Sequence, residues 1–493
     1  MMGKLKRCFS FGLLTTLLLS TAVLAGDKRI KLTTSSEEAR DLFWQARKAL
    51  ENQDVASPPQ LLQKAIELDP EFAFGYMLLS AFNNNAGHME KALELAKNAS
   101  EAERKYIEAT QHARNQSLDD AIAGFEEVLK DYPNDRMTNM MVGQLYAGQS
   151  RWKDAERVFA KSLKLDGSSL RVYQMLGNAY AQQSKSKKAE EVYQRAVKLD
   201  ESQFAGYQML SNFYAQQGRF DEANDVLKKA GMATKGNEAQ IAQGLGTNAL
   251  FQDDYSKARK HYRTAVSLTD RDATPFIPFF GLAWTYLYEN DGQIDPALEI
   301  IDDYMGRYNR NGGAQGFPPV WIWNHTARIK LENGHAEEAL KDYETGYKSV
   351  PGSQLTDDQK RVWEQRSHHG KARALAKLGK FDEAWGIAES MRKLLETEAT
   401  DAQKQQFYPP YHYLAGYILL EKKEYKKAVE HLEQAVPNDP FHQLLLGRAY
   451  EKSGDLSKAR ERYEAVTKMT NNNIERALAY PEAKKRLAML SSN

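Results

Sequence analysis

Cysteine is almost missing from this chain: one residue, Cys8, among 493. It sits inside an apolar opening stretch, so everything beyond lacks a thiol, which excludes disulfides, cysteine-ligated zinc and thiol nucleophiles from the body of the protein. A surplus of charge is missing too. The 67 basic and 66 acidic residues leave a formal net charge of +1, and the two signs are interspersed, so there is no footprint for nucleic acid or an anionic membrane surface. Past residue 25 no run is long and apolar enough to span a bilayer, and no alternating strand pattern with turn spacing occurs. None of the ten histidines stands in H-E-x-x-H, and neither a G-x-S-x-G elbow nor a G-x-x-x-x-G-K-[ST] loop is present. Gly312, Gly313 and Gly316 lack the preceding strand and following lysine of a phosphate cradle. His368 and His369 are neighbours, about 100° apart on a helix, and read as surface or groove residues rather than ligands of one metal. Asp119-Asp120, Asp253-Asp254 and Asp302-Asp303 lack the alternating spacing of a calcium loop and read as solvated caps and faces. Catalytic residues, metals and cofactors are therefore not expected.

The opening stretch has a character of its own. Lys4, Lys6 and Arg7 precede an apolar run from Phe9 to Leu24 that closes on Val23, Leu24 and Ala25. A basic start, a short apolar core and small residues at the cleavage site are what a signal peptidase accepts, so residues 1–25 are expected to be a cleaved leader. Gly26 follows the cut where a lipoprotein needs a cysteine, so no lipid anchor is implied.

What the rest of the chain has in abundance is repetition. Gly143, Gly177 and Ser211 are spaced at a 34-residue period, as are Tyr146, Tyr180 and Tyr214, and Ala155, Ala189 and Ala223. A repeat of that length is one pair of helices unable to bury its own apolar face, so successive pairs must stack, and the expectation is an open-ended solenoid. Within each pair a small residue in the first helix is followed twelve positions later by one in the second, where the helices cross closely. The spacing holds for Ser80 and Ala92, Ala109 and Ala121, Gly143 and Ala155, Gly246 and Ala258, Gly416 and Ala428, and Gly447 and Ala459. It is imperfect at Ala46 with Pro58 and at Gly281 with Ala297. Asp154, Asp221 and Asp382 are placed to cap or favour the positive start of second helices, and Asp295-Pro296 reads as a cap followed by a first-turn proline.

Tyr173, Leu176, Gly177, Tyr180, Ala189, Tyr193 and Ala196, with Pro70, Pro133 and Pro440 closing other repeats, resemble the pattern of the tetratricopeptide repeat family. The resemblance implies an all-α, right-handed superhelical solenoid of about twelve tetratricopeptide-type helix pairs with a C-terminal capping helix. The expected organisation is a lead-in at 26–38, an N-terminal repeat block at 39–271, a C-terminal block at 272–472 and a capping helix and tail at 473–493, with Glu482, Lys484, Lys485 and Arg486 facing water. Longer connections at Asn309 to Pro319, Ser349 to Gln359 and Thr397 to Pro410 point to a change of curvature or a partial hinge.

In this family the first helices line the concave face. Counting from the crossing residue puts Gln174, Asn178, Gln182, Gln208, Asn212, Gln216, Gln240 and Gln243 there, an amide ladder whose donors and acceptors suit a peptide backbone or sugar hydroxyls. The same count in the second block places Phe251, Tyr286, Trp321, Tyr413 and Tyr417 on that side as anchors, with Trp284 and Trp323 in the core. The family's clamp for a chaperone C-terminus is absent, since Asn178 fits one place but Gln174, Met209, Gln240 and Gly244 occupy the others. The resulting expectation is a non-enzymatic interaction scaffold of the bacterial cell envelope, exported to the periplasm or beyond, holding protein or peptide partners in its groove. A carbohydrate-handling role in an envelope glycan system is the alternative.

Overall fold

The computed structural model describes residues 30–491 apart from 52, 53, 55, 84, 85, 116, 290–292, 314–317, 354, 356, 398–400 and 437. The leader expected over residues 1–25 lies outside the described residues. Among those described, every regular element is a helix. In the first half the pairs are α1 (Glu37–Glu51) and α2 (Pro58–Leu68), α3 (Ala73–Asn83) and α4 (Ala86–Ala96), α5 (Glu101–Arg114) and α6 (Leu118–Asp131), α7 (Arg136–Gly148) and α8 (Trp152–Leu165), α9 (Leu170–Gln182) and α10 (Ser186–Leu199), and α11 (Phe204–Gln216) and α12 (Phe220–Ala233). The second half pairs α13 (Glu238–Phe251) and α14 (Tyr255–Ser267), α15 (Phe276–Tyr288) and α16 (Asp295–Arg310), α17 (Pro319–Glu332) and α18 (Ala336–Lys348), α19 (Asp357–Lys377) and α20 (Phe381–Thr397), α21 (Asp401–Glu421) and α22 (Tyr425–Leu432), and α23 (Pro440–Ser453) and α24 (Leu456–Lys468). A last helix, α25, runs Ile474–Ser491.

The pairs close where the small residues predict. A Cβ on Gly177 would lie 2.4 Å from the Tyr193 ring, and one on Gly447 would lie 2.5 Å from Tyr463. Ala155, Ala189, Ala223, Ala258, Ala428 and Ala459 are completely buried on the opposing helices. The imperfect pairs form as well: Pro58 opens α2, where its missing N–H costs nothing, and packs in the core with Ala46. Turns between paired helices hold a left-handed residue at the same place, Ser150, Ser184, Gly218 and Asp253 among them.

Three local expectations are corrected. Asp154, Asp221 and Asp382 lie inside the first turn of α8, α12 and α20 rather than at the cap, so of the two expected roles they take that of favouring the positive helix start, and Asp154 also accepts from Arg151 at 3.1 Å. Asp295 is likewise the first helical residue of α16, with no capping hydrogen bond from Ile294. Side-chain caps come instead from Ser100, Asp135, Ser169, Asp254, Asp439 and Asp455. The Thr397–Pro410 segment, expected as a connection, is largely helix: α21 begins at Asp401 and carries Pro409 and Pro410 within it.

Odd-numbered helices pack against one another from pair to pair, α7 on α9, α9 on α11, α13 on α15, α17 on α19 and α19 on α21. Even-numbered helices make no comparable contact among the described residues, so the odd set forms the inside of the curve. Curvature is tight enough for α1 to touch α9, and Glu51 at the end of α1 pairs with Arg136 at the start of α7 at 3.7 Å. One buried cluster runs from Ile30 to Ala230 and a second from Ala249 to Ala483. The core therefore divides at α13, ahead of the boundary expected near residue 272, with Ile241 packed on the first cluster and Leu250 inside the second.

The open-ended stack is corrected at its far end. α25 packs on α23 and α24 and also on α15 and α17, so the second block curls back upon itself. Of the four polar residues expected to face water, Glu482 is bonded to Arg448 at 2.8 Å, Arg486 to Glu451 at 2.9 Å and Lys484 to Asp253 at 2.6 Å. Lys485 alone of the four is exposed without a described ion pair.

Candidate binding surface

On α9 and α11 the inner stripe follows from helical spacing. Residues four apart lie about 6 Å apart along one face, which aligns Gln174, Asn178 and Gln182 on one helix and Gln208, Asn212 and Gln216 on the next. All six are exposed, and Gln240 on α13 is exposed beside them, while Gln243 is half-buried. The small crossing residues Gly177 and Ser211 hold this face in place, Ser211 by donating its hydroxyl to the Ala223 carbonyl at 3.0 Å. Asn178 is oriented from below: the Tyr193 hydroxyl donates to its Oδ1 at 2.6 Å, which directs the amide N–H donors outward. The ladder spans the junction between the two cores, because α13 belongs to both.

A set of braces that the sequence reading missed holds α8 to α13 together. Lys185 pairs with Glu156 at 2.6 Å and, one repeat on, Arg219 pairs with Glu190 at 2.7 Å. In the following repeat the same place is taken by Asn224, which accepts from Asn248 at 2.9 Å. Arg151 and Arg219 also stack on Tyr146 and Tyr214, each 4.3 Å from the ring centre. The repeating offset between Glu156 and Lys185 was available as a signal in the sequence.

The aromatic half of the expected site is corrected. Tyr417 is fully buried and Tyr413 nearly so. Arg328 of α17 donates to the Tyr413 hydroxyl at 2.9 Å, and Tyr417 donates to Glu332 at 3.3 Å, so the inner faces of α17 and α21 meet and enclose the rings. Burial pushes the Tyr413 hydroxyl up to about 12. Trp321 is half-buried among Phe276, Phe280 and His325. Tyr286 is half-buried, with Arg259 over its ring at 4.9 Å and Arg263 donating to its hydroxyl at 2.6 Å. Phe251 packs beneath Arg476. Trp284 is core as expected, and Trp323 is half-buried. His369, read as a surface or groove residue, packs on Tyr413 at 5.4 Å, and burial holds it well below the usual imidazole value.

Among the described residues no group of three or more histidine, cysteine, aspartate or glutamate side chains is placed to hold a metal ion, and no helix is long and apolar enough to cross a membrane.

Two family models, each described as a tetratricopeptide repeat, match the chain: one over residues 170–203, 409–442 and 443–473, the other over 106–169. The matches leave residues 1–105 and 204–408 uncovered, the latter holding most of the long connections. Among solved structures, MamA is similar at 24% identity over 32% of this chain and 93% of that one, with a TM-score of 0.28. A tetratricopeptide repeat protein from Parabacteroides merdae is similar at 15% identity over 55% and 100%, with a TM-score of 0.32. The Cut9-Hcn1 hetero-tetramer of APC/C is similar at 11% over 92% and 96%, with a TM-score of 0.33. No curated protein matches the chain.

Proposed function

This chain is a tetratricopeptide repeat protein, and on that premise we propose that it is a non-enzymatic scaffold of the bacterial cell envelope which holds an extended segment of a partner protein against α9, α11 and α13. Proteins of this family generally mediate protein–protein contacts. The observation that carries the reading is the row of exposed amides at repeating places on α9 and α11, continued by Gln240. Each amide offers two donors and an acceptor, the complement of a peptide backbone, without selecting for charge. A partner laid there would exchange main-chain hydrogen bonds for water and draw specificity from the spacing of the rungs.

The glycan alternative loses its best support. Sugar rings stack on exposed aromatic faces, and Tyr413 and Tyr417 are enclosed while Trp321 and Tyr286 are half-covered by their neighbours. The leader read from residues 1–25 supports a periplasmic address, which recovery from the periplasmic fraction with Gly26 as first residue would check.

Replacing Asn178 and Asn212 together by Ala removes two rungs without touching the crossing residues. Proteins recovered from envelope extract by the parent chain should bind the double variant at least about tenfold more weakly, while the fold persists with only the small fall in melting temperature expected when the Tyr193 hydroxyl loses its acceptor. Equal affinity, or binding to glycans with no protein partner, would contradict the reading.

A further inference from the structure

Most neighbouring helices in this chain meet through small and apolar residues, but the seam that brings α25 back to the start of the second block is built differently. Asn472, Arg476, Tyr480 and Lys484 are spaced four apart, and from Arg476 onward they form one stripe of α25. Each reaches across more than 180 residues of sequence. Asn472 donates to the Tyr262 hydroxyl at 3.1 Å, Arg476 to the Tyr288 hydroxyl at 2.8 Å, Tyr480 to Asp253 at 3.0 Å and Lys484 to the same carboxylate oxygen at 2.6 Å. Arg476 lies 5.1 Å from the Phe251 ring centre and 5.3 Å from that of Tyr288, while Tyr288 and Tyr480 meet edge to face at 5.7 Å.

Asp253 is the receiving end. It occupies the left-handed place of the α13–α14 turn, with φ at +60°, where Gly218 stands one repeat earlier. Asp tolerates that conformation better than most side chains but less well than Gly. Burial works to raise its carboxyl, and hydrogen bonds from Lys484, Tyr255 and Tyr480 outweigh that and hold it below the usual carboxylate range. Its neighbour Asp254 does the ordinary work of the turn, capping α14 through the Lys257 N–H at 3.1 Å. One oxygen of Asp253 accepts from Tyr255 of α14 at 2.8 Å, and the other is left to the distant helix.

We propose that α25 is a releasable latch: its polar stripe holds the second block shut as a ring against α13 to α15, and letting go opens that ring into an ordinary stack without unfolding any repeat. The attachment of α25 to α23 and α24 is separate, through the Arg448–Glu482 and Arg486–Glu451 pairs with α23 and the bond from Arg460 of α24 to the Leu490 carbonyl. Opening therefore breaks the seam with α13 to α15 and the smaller contact of α25 with α17, and keeps the sequential ones. This inference stands apart from the amide ladder, since the seam meets the C-terminal end of α13 at Phe251 and Asp253, whereas Gln240 and Gln243 lie in its first turns.

Hydrogen exchange on the full chain tests it. Asp253→Asn keeps the size of the side chain and suits the left-handed turn, yet removes the charge that Lys484 pairs with. Exchange across 474–491 is expected to rise about tenfold, with α23, α24 and the first block unchanged. Lys484→Ala, at an exposed position, is expected to act in the same direction and also to speed exchange near Tyr255 and Tyr288. Unaltered exchange across 474–491 in both variants would overturn the proposal, because α25 would then be held by α23 and α24 alone. So would joint loss of protection from α19 through α25, which would make the seam part of one cooperative unit.

Discussion

Single atoms decide whether the repeats close. Gly177 faces the Tyr193 ring at a distance that a Cβ cannot share, so Gly177→Leu should lower stability by roughly 1–3 kcal/mol in denaturant unfolding; a neutral result would contradict the crossing geometry. This pattern was legible because small residues at a fixed offset leave a trace that survives every other substitution. The fate of the aromatics was not, since Tyr413 and Trp321 look alike in the sequence and are told apart only by how far the inner faces converge. The same convergence shapes the response to pH. Burial, opposed in part by the Trp321 carbonyl and aided by Arg328 and Arg366, pushes His325 down to about 4, and His369, His412, His431 and His442 are lowered too. A lowered imidazole means that the unfolded chain takes up its proton first as the pH falls. Stability is therefore full above about pH 6.5 and lost progressively between there and about 4, by roughly 1–3 kcal/mol for His325 alone. Asp342 and Asp439, whose carboxyls burial raises, work in the opposite direction and offset part of the loss. Melting temperatures measured from pH 7 to 4.5 should fall, and His325→Gln should flatten that slope; a pH-independent melting temperature would contradict the burial of these rings.

Elements were readable to within a few residues where the turn chemistry is regular, and less so where a cap depends on something distant. Ser100 and Glu103 form a reciprocal capping box at the start of α5, with the Ser100 side chain accepting from the Glu103 N–H. Glu103 also accepts from the Thr33 N–H at 2.8 Å, and Asp69 accepts from the Ser35 N–H at 2.9 Å. The lead-in is therefore strapped across the first repeats, with Ile30 buried. The Ser-x-x-Glu signature was open to view, whereas the strap was not, because no local period announces it. Ser100→Ala should reduce stability by about 1 kcal/mol and free the lead-in to proteolysis; unchanged stability and cleavage would show that the box contributes nothing there. Helix α21 marks the opposite case. Its two prolines read as a connection, and the chain accommodates them within a helix, which propensity alone argues against.

At the scale of the molecule, stacking was legible and closure was not. The number of pairs follows from the period, but whether small rotations from one pair to the next add up to a ring depends on all of them together. The result is a chain whose first block curls until α1 meets α9, whose second block is drawn shut by α25, and whose exposed amide row lies on the helices between. The most direct test is a photo-crosslinking residue placed at Asn212 in one sample and at the exposed Lys187 of α10 in another, each irradiated in envelope extract. Binding along α9 to α13 predicts a defined protein adduct from position 212 that disappears when Asn178→Ala and Gln208→Ala are added, and none from position 187. Adducts from both positions alike, or from neither, would contradict it.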